Sequence, residues 1–532
     1  MTYSFVAQSR KSTPQTQAIP GREAEMTQGR SGGFGFKPST WTMLRRCLIM
    51  GTASGSYYAD KNELTQEFID TVNAAIKEDP KQVAEEILYA SDGKAINNSA
   101  PIFALVLLSM GDSAAAKSAF KSIFNQVVRT GSHFHEWMSY TKSLRGMGRV
   151  VREVGLAWLQ RDDVEWLTYQ ILKYGQRYGM SFRDELRLFK PKPVTEQHDR
   201  LFGYITGKND LSYSGENPVD LIDWYEFVKA NPQAGQKAVR EGGLTHEMVA
   251  PIANMNKDVW QALFEKMPVT ATLRNLGSLT DIGVVSFSNT QNLDRIESLL
   301  CDKEILRKTR IHPIDVLKAL KTYKSGGSLG KSKKTWIPVD RVSDILEKAL
   351  ELSFETQEPT GKVFCHAVDI SGSMSWTPLE SVGLTCAEIA TTMALVTAKA
   401  EKNYAIRGFS TQFIDLGITA SDSFSSACQK TKDKNFGGTN ASVAFEWAIQ
   451  NNIHFDVFCF WTDSESWAGY NHPSQALAEY RRKVNPDARA IYTTLQVSNI
   501  SLVDPEDNGS YDFGGFDPSI PKAIQMIASG EI

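Results

Sequence analysis

Long apolar runs are missing from this chain of 532 residues, and so is any paired-cysteine spacing. No stretch is long and apolar enough to cross a bilayer. The segment Pro101 to Leu108 is too short for that and reads as a buried helix. The N-terminus has no apolar core of the secretory type, so no secretory signal is expected. The six cysteines, Cys47, Cys301, Cys365, Cys386, Cys428 and Cys459, form no CxxC, and several lie in apolar runs. They read as reduced thiols of a cytoplasmic protein, not as a disulfide frame. A global basic charge is also absent. The net charge is −3, so only the distribution of charge can point to nucleic acid. Heptads are missing too, and the eight histidines are scattered, so spacing places no Ser-His-Asp or Cys-His constellation.

What is present divides the chain in three. Residues 1–33 are rich in Gln, Ser, Thr, Gly and Arg and read as a flexible tail, because that composition cannot bury a core. Trp41 to Gly51 is mixed apolar and basic, with no period that separates strand from helix. From Glu63 the pattern is helical: Leu64, Phe68, Val72 and Ile76 share one face. Asp112-Ser113 caps a helix from Ala114 to Val128. Helical stretches continue to Leu352, separated by Gly, Pro or Asn turns. Successive short helices without heptads predict antiparallel pairs stacked as a solenoid. Residues 34–358 are therefore expected to be a helical-repeat domain.

After Phe364 apolar strands alternate with helices, which predicts a doubly wound α/β domain over 359–532. The expected strands are Val363–Val368, Ala405–Phe409, Asp456–Thr462 and Arg489–Leu495, with helices over Leu379–Glu401, Ser442–Ile449 and Pro521–Ser529. The stretch from Asp504 to the last helix reads as a loop. The first strand ends in Asp369-Ile370-Ser371-Gly372-Ser373. In a parallel sheet that places a carboxylate and two hydroxyls at the edge where ligands bind. Hard oxygens in that spacing suit Mg²⁺. Thr439 follows Gly437-Gly438, and Asp463 ends a second buried strand. Asp369, Ser371, Ser373, Thr439 and Asp463 together resemble the metal-ion-dependent adhesion site of von Willebrand factor A domains.

Two basic stretches offset the acidic remainder. Lys142 to Lys192 holds eleven Lys and Arg against six Asp and Glu, and Lys303 to Lys334 holds ten against two. The first interleaves Arg149, Arg152, Lys173, Arg177, Arg183, Arg187 and Lys190 with Tyr174, Tyr178 and Phe189. Cations neutralise phosphates, and aromatics stack on unpaired bases. The second contains Gly326 to Ser332, which resembles a phosphate-binding loop but has Ser325 where the first glycine belongs and a helix where a strand belongs. A lysine-rich loop suited to an RNA backbone is the better reading.

At this point the chain resembles the Ro ribonucleoprotein family, the sixty-kilodalton Ro autoantigen and its bacterial relatives. The resemblance rests on Gly243-Leu244-Thr245-His246-Glu247-Met248, on Met267 to Gly277, on Ile311-His312-Pro313, on Leu320 to Gly326, on Trp461-Thr462-Asp463 and on Tyr480-Arg481-Arg482-Lys483. The tail and the shorter loops suggest a bacterial member. The resemblance implies an α plus α/β fold: a ring of HEAT-like repeats (the TROVE-like domain) closed by the A domain. It implies a non-catalytic protein that binds small structured Y-type RNA on an outer basic surface. Single-stranded 3′ ends of misfolded RNA would enter the central hole. It further implies work in small-RNA stability and RNA quality control, association with a 3′-to-5′ exoribonuclease, no membrane, and a monomer when free.

Candidate RNA contacts are Arg149, Arg152, Lys173, Arg177, Arg187 and Lys190, with Arg274, Lys331, Lys333 and Lys334 as a separate single-strand set. Lys190 stands where the family has His. Lysine can meet a phosphate but lacks an imidazole's stacking and acceptor roles. Two alternatives are a metal-dependent docking scaffold, whose Mg²⁺ would take an acidic group of a partner protein, and an Mg²⁺-dependent nuclease. The nuclease reading suffers because only two carboxylates face the metal.

Overall fold

The computed structural model describes residues 12–51, 60–95, 97–208, 218, 220–309, 311–327, 334–354, 359–375, 384–432, 434, 437–515 and 517–531. Helices dominate from Thr40 to Leu352. Most are short, and local chemistry starts them. The side chains of Asp79, Ser113, Thr130, Asp163, Ser181 and Thr195 each accept a backbone N–H of the first turn. Such caps are worth about 1 kcal/mol each and fix where a helix begins. The ambiguous segment is the helix Thr40–Met50, capped by Ser39. The apolar run becomes the helix Ser99–Met110, buried almost all round.

The helical array has two apolar cores. One runs from Leu44 to Ile222. The other starts at Trp224 and continues through Phe354 into one face of the C-terminal sheet. The second core is therefore shared, which makes the A domain part of the array's packing.

The strands are β1 (Met26–Gln28), β2 (Phe34–Phe36), β3 (Gln176–Arg177), β4 (Met180–Ser181), β5 (Val363–Asp369), β6 (Asn403–Phe409), β7 (Phe413–Asp415), β8 (Val457–Thr462), β9 (Arg489–Thr494) and β10 (Ser510–Gly514). The C-terminal sheet has the order β10-β9-β8-β5-β6-β7. Only β7 runs antiparallel to its neighbour. The helices Cys386–Ala400 and Ile520–Ser529 share the core on one face. Val443–Gln450 and Pro473–Lys483 cover the other. The helix expected from Leu379 begins at Cys386 with a capping box of Thr385 and Glu388, and 376–383 lie outside the described residues.

Three expectations need correction. The first is the flexible tail, since residues 12–33 lie packed on the A domain. Gln15 is fully buried. Its Nε2 donates to Asn440 Oδ1, Ser442 Oγ and the Asn471 carbonyl at 2.9, 3.0 and 2.7 Å. Polar composition misleads here because the groove that receives the segment is itself polar. Gly33 allows the close approach: a Cβ there would come 2.1 Å from the Ser466 carbonyl. Residues 1–11 lie outside the described set. The second correction is the expected loop after Asp504, which contains β10, and the third is β7, which was not expected at all. Both are short edge strands: β7 has three residues, too few to show alternation, and Asp512 and Gly514 interrupt it in β10.

The A domain closes the helical array into a ring. At the N-terminal end Arg46, 1% exposed, pairs with Asp512 at 2.6 Å and donates to the Ser498 and Ile500 carbonyls at 2.8 Å each. At the C-terminal end Lys321 pairs with Glu388 at 2.8 Å, and Glu347 accepts from Ser425 Oγ and the Phe424 N–H.

Candidate metal centre and nucleic-acid interface

β5 and β8 are adjacent and parallel, so Asp369, which ends β5, and Asp463, the residue after β8, meet at one edge of the sheet. Both carboxylates are fully buried, and Ser371, Ser373 and Thr439 are buried beside the same loops. Asp369 Oδ1 accepts from the Ser371 N–H at 2.9 Å, and its Oδ2 accepts from Thr462 Oγ1 at 2.6 Å. The Ser371 and Ser373 hydroxyls are 3.2 Å apart. Asp463 Oδ1 accepts from the Glu465 N–H at 3.0 Å, while its Oδ2 is buried with no hydrogen-bond partner. Burial pushes the Asp369 carboxyl up to about 6, against hydrogen bonds from Ser371 and Thr462 that lower it. Burial, and then the charge of Asp369, push Asp463 well above the usual carboxylate range. Two buried carboxyls, one with an orphaned oxygen, are a donor set that a hard cation would satisfy.

The N-terminal segment braces these loops. Ser466 Oγ donates to Gln15 Oε1 at 2.8 Å, and Glu465 Oε2 accepts from the Ser31 N–H at 2.9 Å. Arg30 reaches the other way, pairing with Glu67 of the ring helix Lys61–Glu78 at 2.6 Å. The loop that follows Asp463 is thus tied to the ring through residues 15–31, a link that the composition of the segment does not signal.

The first basic stretch assembles around the helix Phe182–Phe189. Arg183 and Arg187, four apart, share its exposed face, and Lys190 follows as the exposed C-cap in a left-handed conformation (φ +51°). At its N-terminal end stands the β3–β4 hairpin, whose exposed residues Gly175 to Gly179 include Arg177 and Tyr178. Tyr178 has φ +53° and is 52% exposed, an uncommon backbone for an aromatic. At the C-terminal end Arg152 donates to the Leu188 carbonyl at 3.2 Å, which brings Arg149 and Arg152 beside Lys190. The eight-residue helix makes this strip about 12 Å long. Lys173 sits at the base of the hairpin, 5.3 and 5.5 Å from the Tyr169 and Tyr174 rings. Arg183 joins the expected set, and Tyr178 is its one exposed aromatic. Arg145 and Arg161 have structural roles instead. Arg145 holds Ser109, and Arg161 lies over Trp158 and Trp166, where burial pushes its guanidinium down to about 10.

A buried pair fixes the strip's angle. His135 Nδ1 is 2.7 Å from Glu185 Oε1, and both side chains are 0% exposed. Burial, and then the Arg177 charge, push His135 down to about 4, while burial and Asp184 push Glu185 well up.

Of the second set, Arg274 and Lys334 line one cavity of about 700 Å³ between the helices Val269–Asp281 and Pro313–Lys324, and Lys318 joins them there. Lys331 and Lys333 lie outside the described residues. Lys321 and Lys324 are engaged in ion pairs with Glu388 and Glu347.

Comparisons with known proteins converge on this arrangement. A family model described as the Ro60 vWA domain matches residues 363–528, and one described as the TROVE domain matches 231–354, close to where the second helical core begins. The RNA-binding protein RO60 of Deinococcus radiodurans is 29% identical over 524 residues, covering 98% of each chain. The RNA-binding protein RO60 of Caenorhabditis elegans is 28% identical over 587 residues, covering 95% of this chain and 90% of its own. The crystal structure of the Deinococcus radiodurans RO (RSR) protein is 30% identical, with a TM-score of 0.69 over 93% of this chain and 100% of that one. With that likeness along both the ring and the A domain, the chain belongs to the Ro family.

Proposed function

We propose that this protein binds RNA and performs no chemistry on it. The observation that carries the reading is the exposed row Arg183, Arg187 and Lys190, flanked by Arg177 and Tyr178 at one end and Arg149 and Arg152 at the other. These six cations lie on one short helix and its immediate neighbours, which suits successive phosphates of a structured RNA. The relatives named RNA-binding protein RO60 support the same reading. A small non-coding RNA of the Y type is the proposed ligand of the strip. Single-stranded 3′ ends of misfolded RNA are the proposed ligands near Arg274 and Lys334. The protein would act as a cytoplasmic monomer when free of RNA, in small-RNA stability and quality control beside a 3′-to-5′ exoribonuclease.

A two-metal nuclease needs several clustered carboxylates. Among the described residues no three His, Cys, Asp or Glu side chains group in a metal-holding arrangement. The candidate centre, with two carboxylates and three hydroxyls, would hold one Mg²⁺, which would supply a docking point for an acidic group of a partner protein. The orphaned Asp463 Oδ2 supports a bound cation.

Sequencing RNA that co-purifies with the protein tests the ligand class, and enrichment of small structured RNAs is expected. In a second comparison, a duplex with a single-stranded 3′ tail should bind tighter than the blunt duplex. Equal affinities would remove the single-strand site and leave the strip standing.

A further inference from the structure

The cavity between the helices Val269–Asp281 and Pro313–Lys324 has a composition that the single-strand reading does not require. Its floor is apolar, built from Leu273, Leu276, Ile311 and Ala319, and one side is the indole of Trp336. That ring is fixed. Its N–H donates to the Tyr323 carbonyl at 2.9 Å, and its six-membered edge lies so close to Gly277 that a Cβ there would sit 2.6 Å from it. Arg274, Lys318 and Lys334 stand around the same space, with one carboxylate, Asp315, and the hydroxyl-bearing Thr270, Ser278 and Thr322. Lys334 spans from the Ser278 hydroxyl, 3.1 Å away, to the Trp260 ring at 5.8 Å.

A face that met only phosphates would have no use for a recess of about 700 Å³ with an apolar floor. A recess that met only apolar ligands would not carry three cations. An aromatic wall, an apolar floor and cations beside them match the two chemistries of one unpaired nucleotide, a flat base and a phosphate on each side of it. We propose that this cavity is a nucleotide pocket: it takes one base of a single strand against Trp336, with the flanking phosphates on Arg274, Lys318 and Lys334. This rests on the single-strand reading above and adds a site that grips a base. The base edge then faces Asp315 and the hydroxyls, which accept from exocyclic amino groups.

The test uses the full-length protein and a single-stranded oligoribonucleotide carrying one 2-aminopurine. Binding should quench the 2-aminopurine through stacking on the indole. Trp336→Ala should abolish the quench and weaken the strand roughly tenfold, the scale of one lost stack. Trp336→Phe should restore most of the affinity. Gly277→Ala provides a second lesion that leaves every cation in place. Alanine is favoured over glycine within a helix, and its Cβ displaces the indole. It should weaken the strand as Trp336→Ala does, with the circular dichroism of the folded chain unchanged. Full affinity and full quench in both variants would overturn the pocket while leaving single-strand binding intact. Failure of the wild-type chain to bind the strand at all would overturn both.

Discussion

His366 shows how a single residue is held by its surroundings. It lies wholly inside the A domain, stacked between Phe364 and Trp461, and its Nδ1 accepts from Trp461 Nε1 at 3.4 Å. Burial pushes its imidazole down to about 3. The unfolded chain takes up a proton there near pH 6.5 and the folded chain does not, so this residue's contribution is present above pH 6.5 and lost as pH falls towards 3. His366→Phe leaves the Trp461 N–H unpaired, which costs about 1–3 kcal/mol at pH 7. Its melting temperature should approach that of the wild type as pH falls from 6.5 to 4, and a constant gap would contradict the assignment. Asp369 tests the metal. Mg²⁺ should raise the melting temperature of the wild type, by about 2.7 kcal/mol in stability at one hundred times Kd. Asp369→Ala should lose that response and keep RNA affinity. An equal Mg²⁺ response in the variant would place the ion elsewhere. Asp369 and Asp463 were legible in the sequence because each ends an apolar strand, and strand ends are where a parallel sheet presents its ligands. Gln15 was not legible: nothing in a polar run distinguishes a side chain bound for a buried polar groove from one bound for water.

At the scale of elements the same contrast holds. Helices announced themselves by apolar faces and caps, as Ser113 does at Ala114–Val127. The β3–β4 hairpin, two residues a strand, is too short for any period, although its glycines at 175 and 179 both take positive φ. The N-terminal segment carries the sharpest element-level consequence. A flexible tail can be removed without cost. Here deletion of residues 1–33 strips Gln15 from Asn440, Ser442 and Ser466, and Ser31 from Glu465. Several buried polar groups lose partners at about 1–3 kcal/mol each. The truncated chain should melt at a clearly lower temperature, and its response to Mg²⁺ should weaken because the loop after Asp463 loses its brace. Unchanged melting in scanning calorimetry would restore the tail reading.

Over the whole molecule, the ring is closed by contacts between residues hundreds of positions apart, and this is the part that local patterns could not supply. Arg46 lies in a mixed apolar and basic segment whose sequence gives no period, yet it is buried against β10. Arg46→Ala takes the cation from Asp512 and leaves it the Ser501 hydroxyl, and breaking a buried pair of this kind costs about 3–5 kcal/mol. Hydrogen exchange should rise in Thr40–Met50 and Ser510–Gly514 and stay low in β5 and β8. Uniform exchange would mean that the closure is held elsewhere. The central claim, however, is that the strip along Phe182–Phe189 meets RNA through its phosphates. The direct measurement is the affinity of a small structured RNA as a function of salt, for the wild type and for a Lys173→Ala, Arg177→Ala, Lys190→Ala variant. Each phosphate contact contributes close to one unit of slope in log affinity against log salt. The variant should bind more weakly at low salt, and its slope should be shallower by about two to three units. An unchanged affinity and slope would contradict the account.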